Sequence, residues 1–208
     1  DNYTIEAWIN SSSDGLQSLI QGWYGFGFQI YLTNGTIHFV LRETDGNGVG
    51  FSSTTQIIDG NWHHIAAVLN EENVSVFVDG VLETEGTFDN TVTGNGSNDL
   101  SFGHSPWASE YYSGLLDEIR IWNTTRTQSE IQNNMSTELN GNETGLVGYW
   151  NFNEGSGSTV TDLTSNGNNG TINGASWSSS TTNQYCNNCT ATDSVVVNVN
   201  AVNPIDLG

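Results

Sequence analysis

The sequence has 208 residues, enough to bury a substantial core and to form one large domain. It contains 23 acidic residues but only three arginines and no lysine, which gives a formal net charge of −20. A surface with this charge repels nucleic acid and anionic lipid and attracts divalent cations, so we exclude nucleic acid as a partner. The acidity also favours solubility, and it does not by itself assign a cation to any carboxylate.

The sequence shows neither a signal peptide nor a continuous apolar span. We therefore expect a soluble segment of a longer protein, without membrane insertion. Cys186 and Cys189 form the only cysteine pair, spaced C-x-x-C, and two cysteines cannot complete a four-ligand zinc site unaided. A local disulfide in an extracytoplasmic linker and a pair of free thiols are the alternatives, of which we favour the disulfide.

Short alternating runs of aromatic and β-branched residues, separated by Asn, Gly, Asp and Ser, indicate an antiparallel all-β domain. Tyr3 to Asn10 is the first such run. Phe26 to Thr33 and Thr36 to Arg42 form the clearest hairpin, because Asn34-Gly35 between them suits a type I′ turn. The hairpin residues predicted to face inward are Phe28, Ile30, Leu32, Ile37, Phe39 and Leu41.

A second strand pair is predicted at Asn61 to Leu69 and Val74 to Val78, followed by Val81 to Glu85. The first of these runs contains the adjacent residues His63 and His64. Adjacent residues on a strand point to opposite faces, so the two histidines cannot share a site. We favour a hydrogen-bonded core histidine over a metal ligand or a general base.

The run from Ser113 to Trp122 alternates as a strand should and places Asp117 on one face with Ile119 and Ile121. The other face carries opposite charges, including Glu118, so we expect the first face to be buried. An ionised carboxylate at the mouth of a hydrophobic layer requires backbone donors, an arginine or a cation. Asp117 is therefore the residue of this sequence that most clearly indicates a specific polar partner or a bound cation.

One short helix is predicted after this strand. Thr127 to Glu130 fits a capping box, and Ile131 and Met135 share one face, so a helix of about two turns should pack against the sandwich edge. Gly145 to Phe152 and Thr159 to Trp177 then resume strand character.

Five stretches in a fixed order carry a resemblance to a known family. They are Tyr3 to Ile9, Asn61 to Ala67, Val76 to Gly80, Gly114 to Asn123, and Gly145 to Gly157 with its continuation Asn166 to Gly174. Together they resemble the laminin G-like (concanavalin A-like) jelly-roll domains of bacterial surface proteins. The resemblance implies an antiparallel two-sheet jelly-roll sandwich with one short helix.

We assign residues 1–178 to this sandwich and residues 179–208 to a linker and the first strand of, or a junction to, a neighbouring module. Within the second part, Asp193 to Val199 alternates as a strand. The tail resembles the junctions between modules in very long adhesins of gliding or marine bacteria. This resemblance implies a multidomain protein at the cell surface or outside the cell.

The family resemblance also implies a structural calcium ion at the position that Asp117 occupies. Calcium prefers six to eight oxygen ligands, accepts backbone carbonyls and would neutralise a buried carboxylate. Asp162 and Asn168, in an Asn- and Gly-rich loop, are the predicted partners. The alternative is that Asp117 accepts two backbone N–H bonds and that Asp162 caps a turn.

Glycan recognition requires exposed aromatic faces together with planar polar side chains. The candidates lie in loops where the family usually has small polar residues, and they are Trp23, Tyr24, Trp107, Tyr111 and Tyr112, with Arg42 and Asn47 as polar partners. One of Tyr111 and Tyr112 must face inward where the chain enters the following strand. We expect a glycan or cell-surface polysaccharide as the ligand.

An enzyme of this fold would need paired carboxylates. The glycosidases that share the sandwich carry a Glu-x-Asp-x-x-Glu strand, which is absent here, and the nearest pair, Glu83 and Glu85, is more simply a solvated edge. We therefore expect a non-catalytic, calcium-stabilised binding module of an adhesin. The alternatives are a structural spacer in a long surface filament and a glycoside hydrolase or lyase.

Overall fold

The computed structural model describes residues 2–22, 27–43, 46–88, 92, 99–106, 108–179 and 197–200. It is a two-sheet antiparallel sandwich with a short helix, which confirms the predicted fold class. The strands are β1 (Asn2–Asn10), β2 (Gln17–Gly22), β3 (Phe28–Thr33), β4 (Thr36–Arg42), β5 (Gly48–Ser52), β6 (Trp62–Asn70), β7 (Asn73–Val78), β8 (Val81–Thr87), β9 (Asp99–Phe102), β10 (Leu115–Trp122), β11 (Leu146–Trp150), β12 (Thr159–Val160), β13 (Gly170–Ile172) and β14 (Val197–Asn200). The helix is α1 (Gln128–Asn134).

A six-stranded sheet has the order β11-β10-β1-β6-β7-β8, and an eight-stranded sheet has the order β12-β13-β14-β9-β2-β3-β4-β5. Alternate residues of the long strands, such as β1, β3, β4, β6 and β7, point into the space between the sheets, where they form one continuous core. Each sheet therefore has an inner face in the core and an outer face. The polar and charged side chains described below lie on the two outer faces.

Two local predictions are confirmed. Asn34 and Gly35 have φ angles of +49° and +78°, as a type I′ turn between β3 and β4 requires. Thr127 and Glu130 form the predicted capping box at the start of α1. Ile131 of α1 is fully buried in a small apolar cluster on the outer face of the six-stranded sheet. The helix is thereby packed against this sheet.

The predicted alternation along β10 is wrong at Asp117, because β10 contains a β-bulge. Its residues Glu118 and Ile119 lie opposite the single residue Ala7 of β1, and Glu118 has a φ angle of +50°. The extra residue shifts the two-residue period of the strand. The residues of β10 that precede the bulge therefore point to the face opposite to the one that simple alternation predicts. Asp117 therefore pairs with Trp8 on the outer face of the six-stranded sheet, whereas Ile119 lies in the core.

Strand β14 lies within the eight-stranded sheet, where it pairs with β13 on one side and β9 on the other. The assignment of residues 179–208 to a linker and a neighbouring module stays a prediction. The boundary at residue 178 stays a prediction, and Cys186 and Cys189 lie outside the described residues. No helix within the described ranges is both long and apolar enough to cross a membrane.

Candidate functional site

The outer face of the eight-stranded sheet carries polar and aromatic side chains. Because Phe28, Ile30 and Leu32 point into the core, the residues between them point outward. Tyr31 of β3 lies beside His38 of β4 in a row that crosses four strands. We call this surface the Tyr31 face, and its residues are Ser18, Gln21, Gln29, Tyr31, His38, Val40, Arg42, Ser52 and Ser101.

The rings of Tyr31 and His38 are stacked, with centroids 4.9 Å apart and an interplanar angle of 0°. His38 is held at both ring nitrogens, with Nδ1 2.7 Å from Ser52 Oγ and Nε2 3.1 Å from Thr36 Oγ1. Burial lowers the pKa of His38, which favours the neutral imidazole. The stack is therefore a preorganised aromatic platform, which a ligand can contact at little ordering cost.

Amide and hydroxyl groups lie beside this platform. Gln21 is held by a hydrogen bond of 2.7 Å from its Nε2 to Ser18 Oγ. Gln29, opposite Gln21 on the neighbouring strand, is partly exposed. Ser101 of β9 pairs with Gln21 from the other side and donates its hydroxyl to His104 O at 2.7 Å. Ser18, Gln21 and Ser101 are buried, so Gln29 is the residue of this row whose amide is open to a ligand.

The loop after β9 borders the Tyr31 face. Tyr111 stacks on His104 with ring centroids 4.8 Å apart, and 54% of Tyr111 is exposed. Burial and then the charge of Glu110 raise the pKa of Tyr31, so the loop lies within electrostatic reach of the platform. Tyr111 is thus a second accessible aromatic ring next to the same face.

Tyr112 is not a ligand-binding residue in this structure, which corrects that prediction. It is completely buried in the core, and its hydroxyl donates to Asn10 O at 2.7 Å and Leu115 O at 3.2 Å. Arg42 lies on the Tyr31 face at the end of β4 and is partly exposed, and Asn47 is exposed nearby. The remaining predicted aromatics, Trp23, Tyr24 and Trp107, lie outside the described residues.

Tyr31 and His38 were not selected from the sequence, although a signal was present. The same alternation that placed Phe28, Ile30 and Leu32 inward requires the residues between them to face outward. An outward tyrosine beside an outward histidine on the paired strand could have been found from the hairpin register. Aromatic binding residues were sought in loops, so this strand position was overlooked.

A buried charged cluster lies on the opposite side of the molecule, between the six-stranded sheet and α1. We call it the Arg120 cluster, and its residues are Glu6, His64, Asp117, Glu118, Arg120 and Tyr149. Arg120 is 1% exposed, and its Nη2 lies 2.6 Å from Glu118 Oε2. Its Nη1 donates to Asn134 O at 2.9 Å and its Nη2 to Thr137 O at 2.7 Å. Arg120 thereby anchors the C-terminal end of α1 to the sheet.

The carboxylates of the cluster have different partners. Burial raises the pKa of Glu118, and Arg120 and the Tyr149 hydroxyl, 2.8 Å from Oε2, partly oppose this. Burial would also raise the pKa of Glu6, but His64, 3.3 Å away, and Arg120 lower it. His64 is thus buried and paired with Glu6, as the core interpretation predicts.

Asp117 carries the most perturbed carboxyl group of the predicted site. It is 6% exposed, and Glu118 N donates to its Oδ1 at 2.9 Å. Burial and then the charge of Glu118 raise the pKa of Asp117 to about 8. At neutral pH the group therefore favours a proton or a bound cation over an unpaired charge.

Asp162 does not fit the predicted ligand role. Its Oδ1 accepts hydrogen bonds from Tyr149 N at 3.1 Å, Thr164 N at 2.9 Å and Thr164 Oγ1 at 2.8 Å, and its Oδ2 accepts from Asn168 N at 2.9 Å. These donors fill the carboxylate and fit the turn-capping alternative. Asn168 is fully buried, and its side-chain amide has no hydrogen-bond partner among the described residues. Within those residues, no three His, Cys, Asp or Glu side chains form a metal-binding group.

Glu83, one of the two carboxylates considered for catalysis, has a structural role. Glu83 accepts hydrogen bonds from the backbone N–H and the hydroxyl of both Thr54 and Thr55, with Thr55 Oγ1 at 2.8 Å from Oε1. These bonds connect β8 of one sheet to the chain after β5 of the other. The hydrogen bonds from Thr54 and Thr55 lower the pKa of Glu83, which favours the ionised carboxylate as their acceptor.

Comparisons with known proteins agree with this architecture. The laminin G family model described as the concanavalin A-like lectin/glucanases superfamily matches residues 1–132. Usherin from Mus musculus is 24% identical over 137 residues, which cover 62% of this chain and 3% of usherin.

Two solved structures are similar at 18% identity, which shows the fold alone. One is a candidate carbohydrate binding protein from Bacteroides ovatus, with a TM-score of 0.69 over 83% of this chain and 52% of that one. The other is the Ruminococcus gnavus IT-sialidase CBM40 bound to α2,3-sialyllactose, with a TM-score of 0.54 over 64% of this chain and 82% of that one. The chain thus spans about half of the first and a small fraction of usherin. Since the family model matches more than half of its length, this chain belongs to the laminin G-like family of the concanavalin A-like superfamily.

Proposed function

We propose that this chain is a non-catalytic carbohydrate-binding module whose glycan ligand lies across the Tyr31 face. The observation that carries this proposal is the pair of accessible aromatic stacks, Tyr31 on His38 and Tyr111 on His104. Sugar rings pack against aromatic faces, and amides and hydroxyls bond their OH groups. Gln29, Arg42 and Ser52 are partly exposed and supply such groups.

The printed descriptions of the similar structures support the same class of ligand. One is described as a candidate carbohydrate binding protein, and another is bound to sialyllactose. The likeness is one of fold, so it supports glycan binding without assigning a particular sugar. The hydrogen-bonded state of Glu83 supports the non-catalytic part of the proposal.

Glycan-array binding is expected to weaken by about tenfold in Tyr31→Ala and in Tyr111→Ala, because each change removes a stacking surface worth about 1 to 2 kcal/mol. Val81→Ala is the matched control, since Val81 is also 54% exposed but lies on the six-stranded sheet. Binding by the Val81 variant should equal that of the parent protein.

An absence of binding to any neutral or acidic polysaccharide would overturn the proposal. So would equal binding by the parent protein and both tyrosine variants. Either result would favour the alternative of a structural spacer in a surface filament. In both cases the chain is proposed to act outside the cell, beside neighbouring modules of a longer adhesin.

We also propose a stabilising calcium ion at Asp117, held there with backbone carbonyls rather than with Asp162. The carboxyl of Asp117 is buried and accepts a hydrogen bond from Glu118 N, which leaves it able to coordinate a cation. Calcium at about 100 times its Kd should raise the melting midpoint by about 5 to 10 °C relative to chelator. Asp117→Asn should lose most of this difference, and an unchanged midpoint in the parent protein would remove the calcium proposal.

A further inference from the structure

A groove of about 490 Å³ lies on the outer side of the six-stranded sheet, beside the segment that leads into α1. It is on the opposite side of the sandwich from the Tyr31 face. We call it the Arg126 groove, and the residues that matter for its chemistry are Asn73, Ser75, Glu85, Thr87, Thr125 and Arg126. Its volume falls in the range of small-molecule sites, about 300 to 1,000 Å³.

Arg126 lines this groove, and the described residues do not use all of its hydrogen-bond donors. Its guanidinium carbon, Cζ, lies 4.1 Å from the centroid of the Trp122 ring, in a cation–π contact. Its Nε is buried and has no hydrogen-bond partner among the described residues. The nearest carboxylate oxygen, Glu130 Oε1, lies 3.9 Å from Nη1, too far for a hydrogen bond, while Glu130 Oε2 accepts from Thr127 in the capping box.

Within the described residues, the nearest carboxylate partner of Arg126 is the Glu130 oxygen at 3.9 Å. The sequence has three arginines and 23 acidic residues. The buried Arg120 makes an ion pair at 2.6 Å, whereas Arg126 makes no ion pair this close within the described ranges. A guanidinium that is held against an aromatic ring and has unfilled donors can bind the two oxygens of a carboxylate. The geometry therefore selects a planar anion as the ligand group beside Arg126.

The rest of the lining narrows the class of ligand. Ser75, Thr87 and Thr125 contribute hydroxyl groups and Asn73 contributes an amide, which together suit a polyhydroxylated molecule. Glu85 lines the same groove, and the protein carries a net charge of −20, so ligands with several negative charges are repelled. A single carboxylate on a hydroxylated ring satisfies both conditions.

We propose that the Arg126 groove binds the carboxylate-bearing ring of an acidic sugar, a hexuronate or a sialic acid, with the carboxylate on the Arg126 guanidinium. The groove is independent of the Tyr31 face. The chain would then have two sugar sites on opposite sides of one sandwich. A carbohydrate polymer with acidic residues could be held at both, which would raise the affinity through effective concentration.

The test is a titration of the ¹⁵N-labelled full chain with sodium glucuronate, with glucose and sodium phosphate as separate arms at equal ionic strength. Glucuronate should shift the Arg126 Nε–H resonance with a millimolar Kd, and glucose should not. Arg126→Gln should weaken this binding by at least about tenfold, because a hydrogen bond to a charged group is lost. Melting curves check that each variant is folded.

A second variant keeps the result interpretable if Arg126→Gln destabilises the chain. Ser75→Gln fills the groove from β7 without altering the Arg126–Trp122 contact and should also abolish the shifts. Tyr31→Ala is the matched control, and it should leave glucuronate binding unchanged while it weakens array binding. N-acetylneuraminate is titrated in a further arm. The inference would be overturned if both groove variants kept their binding, if phosphate gave equal shifts, or if neither glucuronate nor N-acetylneuraminate gave a shift. None of these results would affect the proposal for the Tyr31 face.

Discussion

Replacement of Arg120 by methionine is expected to lower the free energy of unfolding by about 3 to 5 kcal/mol. The change leaves the Glu118 carboxylate buried without its guanidinium partner, 2.6 Å away in the parent protein. It also removes the donors to Asn134 O and Thr137 O at the C-terminal end of α1. Urea unfolding followed by tryptophan fluorescence measures the loss.

The control for this prediction is the double variant Arg120→Met with Glu118→Gln. Removing the unpaired charge of Glu118 should recover part of the lost free energy of unfolding. An unpaired buried carboxylate is the costliest consequence of the single change. The Tyr149 hydroxyl can still bond the amide that replaces the Glu118 carboxylate. A single variant that loses less than about 1 kcal/mol would show that the Arg120 cluster contributes little to stability.

Replacement of Asp117 by asparagine is expected to stabilise the protein at pH 9 by several kcal/mol in the absence of calcium. The pKa of Asp117 is raised to about 8 in the folded state, mainly by burial, from an ordinary value of 3.8. Each unit of pKa difference corresponds to about 1.4 kcal/mol, so the ionised group costs at most about 6 kcal/mol above pH 8. Asparagine has a similar shape and carries no charge.

The pH profile gives the sign of this effect. The folded state holds the Asp117 proton more tightly than the unfolded state does. The protonated carboxyl therefore contributes fully to the free energy of unfolding below about pH 4, and this contribution is lost as the pH rises through about 8. The variant should therefore match the parent at pH 4 and exceed it progressively above that. Glu72→Gln, at an exposed turn residue, is the control and should leave the profile unchanged. Equal profiles for Asp117→Asn and the parent would contradict the prediction.

Features that depend on a few neighbouring residues could be predicted from the sequence alone. Asn34-Gly35 determines a type I′ turn because both positions need positive φ angles, and the structure has them. Thr127 and Glu130 determine the start of α1 because each bonds the other's backbone. The alternation of apolar residues in β1, β3 and β4 likewise identified the residues that these strands contribute to the core.

The candidate site could be predicted only in part. Tyr111 was selected correctly as an exposed aromatic, but Tyr112 beside it is buried, because a loop has no periodicity that assigns faces. Tyr31 and His38 gain their significance from being paired across β3 and β4, and Arg126 from its contact with Trp122. Such relations join positions on different strands or elements.

Local propensity and period were therefore sufficient for the fold class, the hairpin turns, the capped helix and the inward residues of the regular strands. Long-range contacts were needed for the bulge that moves Asp117 to the outer face, the place of β14 between β9 and β13, and the burial of Arg120 under α1. This division arises because register, bulges and buried ion pairs depend on which distant strands and loops come together. A two-residue period can be read along one strand, but its phase across a bulge is set by the partner strand.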